Sequence, residues 1–565
     1  MKRIVSTIAA ILSYTLAAVS QTGIPSVVQG LHGEAISLNG DIGTYGELYS
    51  IAGRDSRRPS STARLYFRPT LSFYDALTLS FNVLLSTEGS SRSFGHQLNQ
   101  INQFGINPRW GWGYANVGDF SETFTPYTLS GILVRGGGIT VNPGLLRFSA
   151  IGGLTRRGGA ADGSGPFDRY LYGGKIGIGR EQDSFFDIVF LRVRDTPSKF
   201  HIVYPDSISV PDSTQVGTNV NSYQDAPQES LVFGFASCLR AFENTLTFRA
   251  EASGSAFTRD MGSARLREDN VPSAVRALYA PRLSTNVDYT YNFQLLLNLS
   301  PASFKAGLRR VGPGYNSLGV ASLITDQREI LLGTAVHFSR WAGTFTWSRQ
   351  NDNLIGQKLN TTIRQTFVEN LSIRPLDTWS MSFVGNVLSM RNYASNSAAL
   401  VDFLTLNVGT TQSIMFDRDG LVQNASFSYM FQKSSDRNPS RTGTGTSLHT
   451  LTATSPMSVA KNLTLFPSMG LVILRQGAQP STTIQTYSLT PQYRAMENKL
   501  NASLTLTLSR TGSASSLQVN LSASYRLTES NTIALAIRKT DYRGTGPTAG
   551  DYNEHIASLT VSQRL

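Results

Sequence analysis

The sequence predicts an all-β chain, a transmembrane antiparallel up-and-down β-barrel of about 24 strands, within a range of about 22 to 26. Three observations carry this. The last third alternates with a period of two: Leu500, Ala502, Leu504, Leu506 and Leu508 fall on one face, Asn501, Ser503, Thr505, Thr507 and Ser509 on the other, as in a strand with one apolar and one polar side. Tight turn signals punctuate the whole chain between such runs. No stretch approaches the roughly 18 to 20 continuous apolar residues of a spanning helix.

The N-terminus comes first. Met1-Lys2-Arg3 is a short basic region, Ile4 to Ala18 is mostly apolar, and Ala18-Val19-Ser20 supplies small residues before Gln21. This reads as a secretory signal peptide over 1–20, leaving 21–565 as one barrel domain. The single cysteine, Cys238, excludes an intramolecular disulfide.

The turns follow at Tyr74-Asp75, Asn142-Pro143-Gly144, Glu181-Gln182-Asp183, Glu243-Asn244, Ser300-Pro301, Arg340-Trp341, Pro375-Leu376-Asp377, Asp417 to Gly420, Lys461-Asn462, Glu497-Asn498 and Glu529-Ser530-Asn531. Gly, Pro, Asn and Asp dominate them, for reasons of φ angle and local hydrogen bonding. Two strand patterns joined by a longer polar segment separate one tight turn from the next. In bacterial barrels the short turns are periplasmic and the long connections extracellular. Three connections are long: Glu88 to Trp112, Asp195 to Glu229 with Asp206, Asp212 and Asp225, and Phe257 to Ser284 with Arg259, Arg265, Arg267, Arg276 and Arg282. Ser516 to Tyr525 and the run from His555 to Leu565 close the series with the same alternation.

Alternation also assigns charges to faces. The formal net charge is +12, and loss of Lys2 and Arg3 with the signal lowers it by two. Where apolar neighbours face lipid, Arg64, Arg68, Arg147, Arg249, Lys305, Arg309 and Arg538 face the lumen, beside inward acids such as Asp187, Glu251 and Asp288. The balance favours a positive interior and anion entry, although inward Arg and Glu can simply pair across strands, as Arg249 and Glu251 could. An unobstructed lumen of about 24 strands would exceed the aqueous channels of 16- to 18-stranded porins, so something must fill it. The basic segment from Phe257 to Ser284 is the first candidate for an in-folded constriction, with the acids of Asp195–Glu229 able to pair with it.

Enzymatic signals are weak. The six histidines are scattered singly, without metal-ligand spacing, and no Ser sits in a nucleophile elbow. The expectation is a non-enzyme without cofactor or metal. Nucleic acid is not expected as a partner, because the basic residues are dispersed among strands.

One stretch goes beyond composition. Phe124-Thr125-Pro126-Tyr127-Thr128-Leu129-Ser130-Gly131, then Arg135-Gly136-Gly137-Gly138 and Asn142-Pro143-Gly144-Leu145-Leu146-Arg147-Phe148, resembles large, functionally uncharacterised outer-membrane barrels of the Bacteroidota and Chlorobi group. Those carry F-S-P-Y-T-L-x-G, a Gly-rich strand and N-P-G-x-x-R-F. Tyr315-Asn316-Ser317-Leu318-Gly319 and Gln350-Asn351-Asp352-Asn353-Leu354 look similar too. The departures are Thr125 in place of Ser and a terminal Leu565 in place of an aromatic. The resemblance implies a bacterial outer-membrane location and no settled activity. Physically, Phe124 to Gly131 reads as a structured turn that could pin a connection at the pore mouth or anchor a strand edge in the aromatic belt.

The functional expectation is a passive, porin-like channel with a somewhat basic lumen. The alternative is a structural or secretion-associated barrel that scaffolds, or is plugged by, partner proteins. An energy-coupled receptor is disfavoured, because strand patterning begins by about Glu34 and leaves no room for an N-terminal plug domain. Expected partners are outer-membrane lipid, the barrel-assembly machinery during biogenesis, and a periplasmic or surface protein.

Overall fold

The computed structural model describes residues 35–74, 76–87, 103–158, 167–197, 226–266, 278–418, 421–441, 443–512, 514–544 and 550–565. The signal peptide over 1–20, most of the Glu88–Trp112 and Asp195–Glu229 connections, and Arg267 and Arg276 lie outside the described residues.

Each strand of the circuit pairs antiparallel with the next, and the first, Ser37–Ala52, pairs on its other side with the last, Tyr552–Arg564. The register from Asp41↔Arg564 to Ala52↔Asn553 closes the sheet, so no edge is left with unpaired backbone groups. The closed circuit has 26 strands. One further four-residue strand, Met457–Ala460, continues Thr446–Thr454 against the same neighbour, Leu463–Gln476. Pro456 sits in the break, where a missing N–H interrupts the ladder.

The two strands beyond the expected count have a definite origin. Gln103–Trp110 and Gly113–Ser121 form a hairpin over the two-residue turn Gly111-Trp112. In the sequence this hairpin was hidden inside one polar, Gly- and Asn-containing connection, and Pro108 masked its first strand. One more tight turn adds one more hairpin. Elsewhere the tight turns fall at the sequence signals. At Glu243-Asn244 and Glu497-Asn498 both residues take positive φ, between 55° and 69°, as a short strand-to-strand reversal with right-handed twist requires.

The two faces of the wall separate cleanly. On Phe185–Pro197, Val189, Leu191 and Val193 are fully buried, while Phe186 and Ile188 are 42% and 51% exposed. The buried face points into the barrel and the exposed apolar face meets lipid. Exposed large apolar residues continue around the ring, among them Phe233, Leu295, Phe304, Leu332, Val408, Met469, Leu506, Leu521 and Leu559. Among the described residues no helix is long and apolar enough to cross a membrane, and the crossing is made by strands.

One mid-strand residue breaks the apolar band. Glu329 pairs with Arg309 at 2.9 Å and accepts from Gln350 at 3.0 Å, which fixes the inner face of three consecutive strands. Gln350 opposes Arg364, so alternation turns Glu369 outward, between Phe345 and Gly385 and flanked on its own strand by Phe367 and Leu371. It is exposed, and no described residue ion-pairs with it. Two opposite substitutions test these assignments. Leu504→Arg should cost about 2 to 4 kcal/mol if it lies near the bilayer midplane, whereas Thr505→Arg is tolerated. Glu369→Leu should raise the denaturation midpoint of the lipid-embedded barrel. A lowered midpoint would mean that Glu369 is not turned toward lipid.

Candidate functional site: two connections packed inside the barrel

The interior is occupied from one side by two connections. Residues 122–132 join the strands Gly113–Ser121 and Leu133–Val141; residues 312–326 join Ala302–Val311 and Gln327–His337. In the first, Thr125 organises a tight turn around Pro126, whose fixed φ suits the second turn position. The Thr125 hydroxyl accepts from the Tyr127 and Thr128 amides at 3.3 and 3.1 Å and meets the Thr128 hydroxyl at 2.9 Å. Phe124 N–H donates to the Leu129 carbonyl at 3.1 Å, closing the loop on itself. Threonine therefore makes the hydroxyl cap that serine would make at this position.

The second connection docks on the first through backbone and side chains. Ser130 N–H donates to the Gly319 carbonyl at 3.0 Å and Ala321 N–H to the Ser130 carbonyl at 3.1 Å, a parallel bridge inside the barrel. Tyr315, 1% exposed, donates its hydroxyl to the Tyr127 carbonyl at 2.8 Å, and Ser317 donates to the Thr128 carbonyl at 2.7 Å. Gly319 is required by close approach: a Cβ there would lie 2.3 Å from Leu191 Cδ2 and 2.6 Å from the Thr128 carbonyl.

Together the two connections bury an apolar cluster against one sector of the wall. Phe124, Tyr127, Leu129 and Tyr315 pack on Ile151, Leu171, Val189, Leu191, Val193, Val232 and Val311. Wall serines secure the backbone, Ser255 accepting from Asn316 N–H at 3.1 Å and Ser230 from Leu318 N–H at 3.2 Å. Burial pushes the Tyr127 phenol up to about 12 and the Tyr315 phenol up as well, so both stay neutral.

A third connection, 352–362, fastens the second. Asp326 accepts from the Leu354 and Asn353 amides at 2.8 and 3.1 Å and pairs with Lys358 at 2.6 Å; Lys358 also reaches Asp352 at 3.1 Å. Burial opposes the Asp326 charge, but these hydrogen bonds outweigh it and hold its carboxyl below the ordinary value of 3.8. Hydrogen bonds to both carboxylates hold the Lys358 ammonium above its ordinary 10.5.

The basic residues singled out in the sequence are distributed differently. Arg147 is buried, holds Asp187 by two hydrogen bonds of 2.8 and 3.1 Å, and lies 4.6 Å from the Phe185 ring centroid. Arg309 pairs with Glu329 at 2.9 Å, and its charge lies near the Tyr127 phenol. Arg64 and Arg68 lie over the Tyr45 and Tyr66 rings at 5.7 and 5.4 Å. Arg538 donates to Asn520 at 3.0 Å. Arg249, on the face of Ser253 and Ser255, is exposed, as is Lys305, on the face of Arg309. Of the charged segment, Arg259, Arg265 and Arg282 run in an antiparallel extension of their strands, with Leu266 N–H to the Pro281 carbonyl at 3.1 Å and Leu283 N–H to the Ala264 carbonyl at 3.0 Å. No hydrogen bond or ion pair joins its described part to either packed connection. Asp195 is held by Arg156 and Arg169 and Glu229 by Arg192, all on wall strands. Among the described residues, the segments packed inside the barrel are short and nearly uncharged. The only sequence signal for them was the trio of phrases at 124–131, 315–319 and 350–354, whose mutual contact no local pattern encodes.

The opposite wall is different in kind. No buried apolar residue occurs after Tyr315 among the described residues. From residue 405 onward the inner face carries hydroxyl and amide pairs: Thr405–Ser434 at 3.1 Å, Thr411–Ser428 at 3.1 Å, Ser413–Asn424 at 2.8 Å, Ser468–Ser488 at 2.6 Å, Thr490–Thr505 at 3.0 Å and Ser503–Ser522 at 2.7 Å. Unburied apolar residues such as Met430, Phe466 and Val472 are interspersed among them on the same face.

No family model and no curated protein matches the chain. Among solved structures it is similar to the P pilus usher (PapC) translocation pore, with TM-score 0.35 and 10% identity over 94% of this chain and 99% of that one. It is also similar to the FrpB iron transporter from Neisseria meningitidis, with TM-score 0.38 and 12% identity over 87% and 89%. For Acinetobacter baumannii OccAB3 the TM-score is 0.30, with 10% identity over 61% and 94%. A closed antiparallel barrel with an apolar outer band and a polar inner wall is the architecture of a bacterial outer-membrane protein, and that is where this chain resides.

Two outcomes check the site. Gly319→Val should free both packed connections, exposing Phe124, Tyr127 and Tyr315 to chymotrypsin in a barrel that still resists the protease elsewhere. Gly46→Ala, where an added Cβ meets nothing within 4 Å, should leave the pattern unchanged. The Asp326 carboxyl is depressed, so its contribution is complete above pH 3.8 and is lost as pH falls through the lower folded value. Lys358 contributes fully below 10.5 and less as pH rises through its raised value. Amide exchange of 312–326 should therefore be slow across neutral pH and accelerate, relative to the intrinsic rate, in acid below 3.8. Asp326→Asn should abolish that acid-dependent step.

Proposed function

We propose that the protein is a passive outer-membrane channel for small polar solutes, with its passage between the packed connections and the hydroxyl-lined wall. The observation that carries this is the asymmetry of the interior. Apolar contacts close one sector, and the facing sector offers mainly Ser, Thr, Asn and Gln to water, with no buried apolar residue among the described residues. Hydroxyl-lined walls exchange hydrogen bonds with hydrated solutes without holding them tightly, which favours conduction over storage. Most inward arginines are answered by Asp, Glu or an aromatic ring, so the field is modest. Arg249 and Lys305 on the strands near the packed segments and Arg538 on the open wall leave a mild preference for anions. We further propose that the chain belongs with the Bacteroidota and Chlorobi barrels that share its three phrases.

Planar-bilayer recording tests the channel. Wild-type protein should give stable single-channel steps with an anion-to-cation permeability ratio above unity that falls toward unity as salt is raised. Replacing 123–131 and 313–321 by Gly-Ser linkers of equal length should raise the conductance by about twofold or more. Unchanged conductance in the folded variant would show that these segments do not constrict the passage. Absence of steps from both proteins would contradict a channel altogether.

A further inference from the structure

The outer face carries a regular feature that the channel reading does not use. Consider the end of the barrel bearing the long connections, which lies outside the cell in bacterial barrels. Seven successive strands that rise toward this end each place a basic residue near their upper terminus: Arg310, Arg349, Arg391, Lys433, Arg475, Arg510 and, on the last of them, Lys539 with Arg543. The register puts them on the lipid side. Arg349 alternates with Phe345 and Trp347, Lys433 with Phe427 and Phe431, Arg475 with Met469 and Ile473, Arg510 with Leu506, and Lys539 with Leu535 and Ile537, several of which are prominently exposed. The facing pairs Arg349↔Gln365, Leu406↔Lys433, Ser447↔Arg475 and Gln485↔Arg510 agree.

All of these residues are exposed except Arg310, which is half-buried over the Tyr289 ring and reaches Asp288 at 3.5 Å. Lys539 meets Asp541 at 3.0 Å. Among the described residues, Arg349, Arg391, Lys433, Arg475, Arg510 and Arg543 have no carboxylate within salt-bridge distance. Asp402, across the ladder from Arg391, and Asp541 are the acids turned outward at this level on these strands. Strands in a sheet lie about 4.8 Å apart, so a cation on every second strand recurs about every 9.6 Å along the rim. At the opposite end the described strand residues Arg68, Arg240, Arg494 and Arg526 point inward instead, in register with Asp41, Thr247, Asn501 and Thr532 on the inner face.

We propose that this arc is a binding surface for phosphorylated lipid headgroups of the outer leaflet. Long basic side chains just above an apolar band reach up to the headgroup level while their stems stay on the apolar surface. Guanidinium and ammonium groups there make charge-assisted hydrogen bonds to phosphate oxygens. The arc spans the strands from Ala302 to Arg543, most of which lie beyond the sector packed by the connections. Bound headgroups brace that thin wall from outside. The inference is independent of what the lumen passes.

The test is lipid retention by the full chain in mild detergent, read by native mass spectrometry. The probes are a diphosphorylated outer-leaflet glycolipid and the same glycolipid with both phosphates removed. The wild type should retain the diphosphorylated form and not the dephosphorylated one. Joint replacement of Arg349, Arg391, Lys433, Arg475 and Arg510 by Gln should lower retention by about fivefold or more. Joint replacement of Arg68, Arg240, Arg494 and Arg526 by Gln should leave it unchanged, and a variant with Lys at all five rim positions should keep it. Folding of each variant is verified by heat-dependent gel mobility. If the rim-Gln barrel does not fold, the rim-Lys variant and the two lipid forms decide the question. Equal retention of both lipid forms by the wild type, or equal loss in rim and inward variants, would overturn the proposal.

Discussion

A ring of 26 strands is too wide for side chains on opposite walls to meet, and this constraint organises everything inside it. Narrow barrels fill their interiors with wall residues alone, whereas wide ones enclose water unless a connection or a plug turns inward. Here the filling comes from two short connections that cannot each bury their apolar residues alone. They do so by pairing with each other, Ser130 against Gly319 and Ala321, before they meet the wall. The wall adapts locally: Val189, Leu191, Val193 and Val232 bury their inward side chains against the connections, whereas no inward apolar residue after Tyr315 is buried among the described residues.

This arrangement also decides where charge is tolerated. Under the packed segments, Arg147 and Asp187 are almost fully removed from water and survive because two hydrogen bonds join them and Lys175 approaches at 3.9 Å. Removing one partner would strand the other in an apolar setting, which is the costly outcome for such pairs. Lys175 also lies 5.7 Å from the Phe124 ring centroid, so the polar floor and the apolar cluster share a boundary. On the open side no such compensation is needed, and hydroxyl pairs suffice.

Much of the barrel was legible in the sequence because a strand's two faces are a local property. The alternation from Leu500 to Ser509 reports lipid and lumen directly, and most tight turns announce themselves by residue type. Gly111-Trp112 did not, since Pro108 and a run of polar residues made its hairpin look like part of a long connection. The packed segments were legible only as phrases. Phe124 to Leu129 reads equally as a pore-mouth turn or a strand-edge anchor, because what resolves it is Tyr315, 188 residues away from its partner Tyr127. Asp326, decisive for the third contact, carries no sequence signal at all: its role depends on Asn353, Leu354 and Lys358 arriving beside it.

The central claim is that 124–131 and 315–321 form one hydrogen-bonded unit inside the barrel. Amide hydrogen exchange on the lipid-embedded protein tests it most directly. The amides of Phe124, Ser130 and Ala321 should exchange as slowly as those of the neighbouring wall strands, and Gly319→Val should speed all three together. Exchange at the rate of an unstructured connection in the wild-type barrel would contradict it.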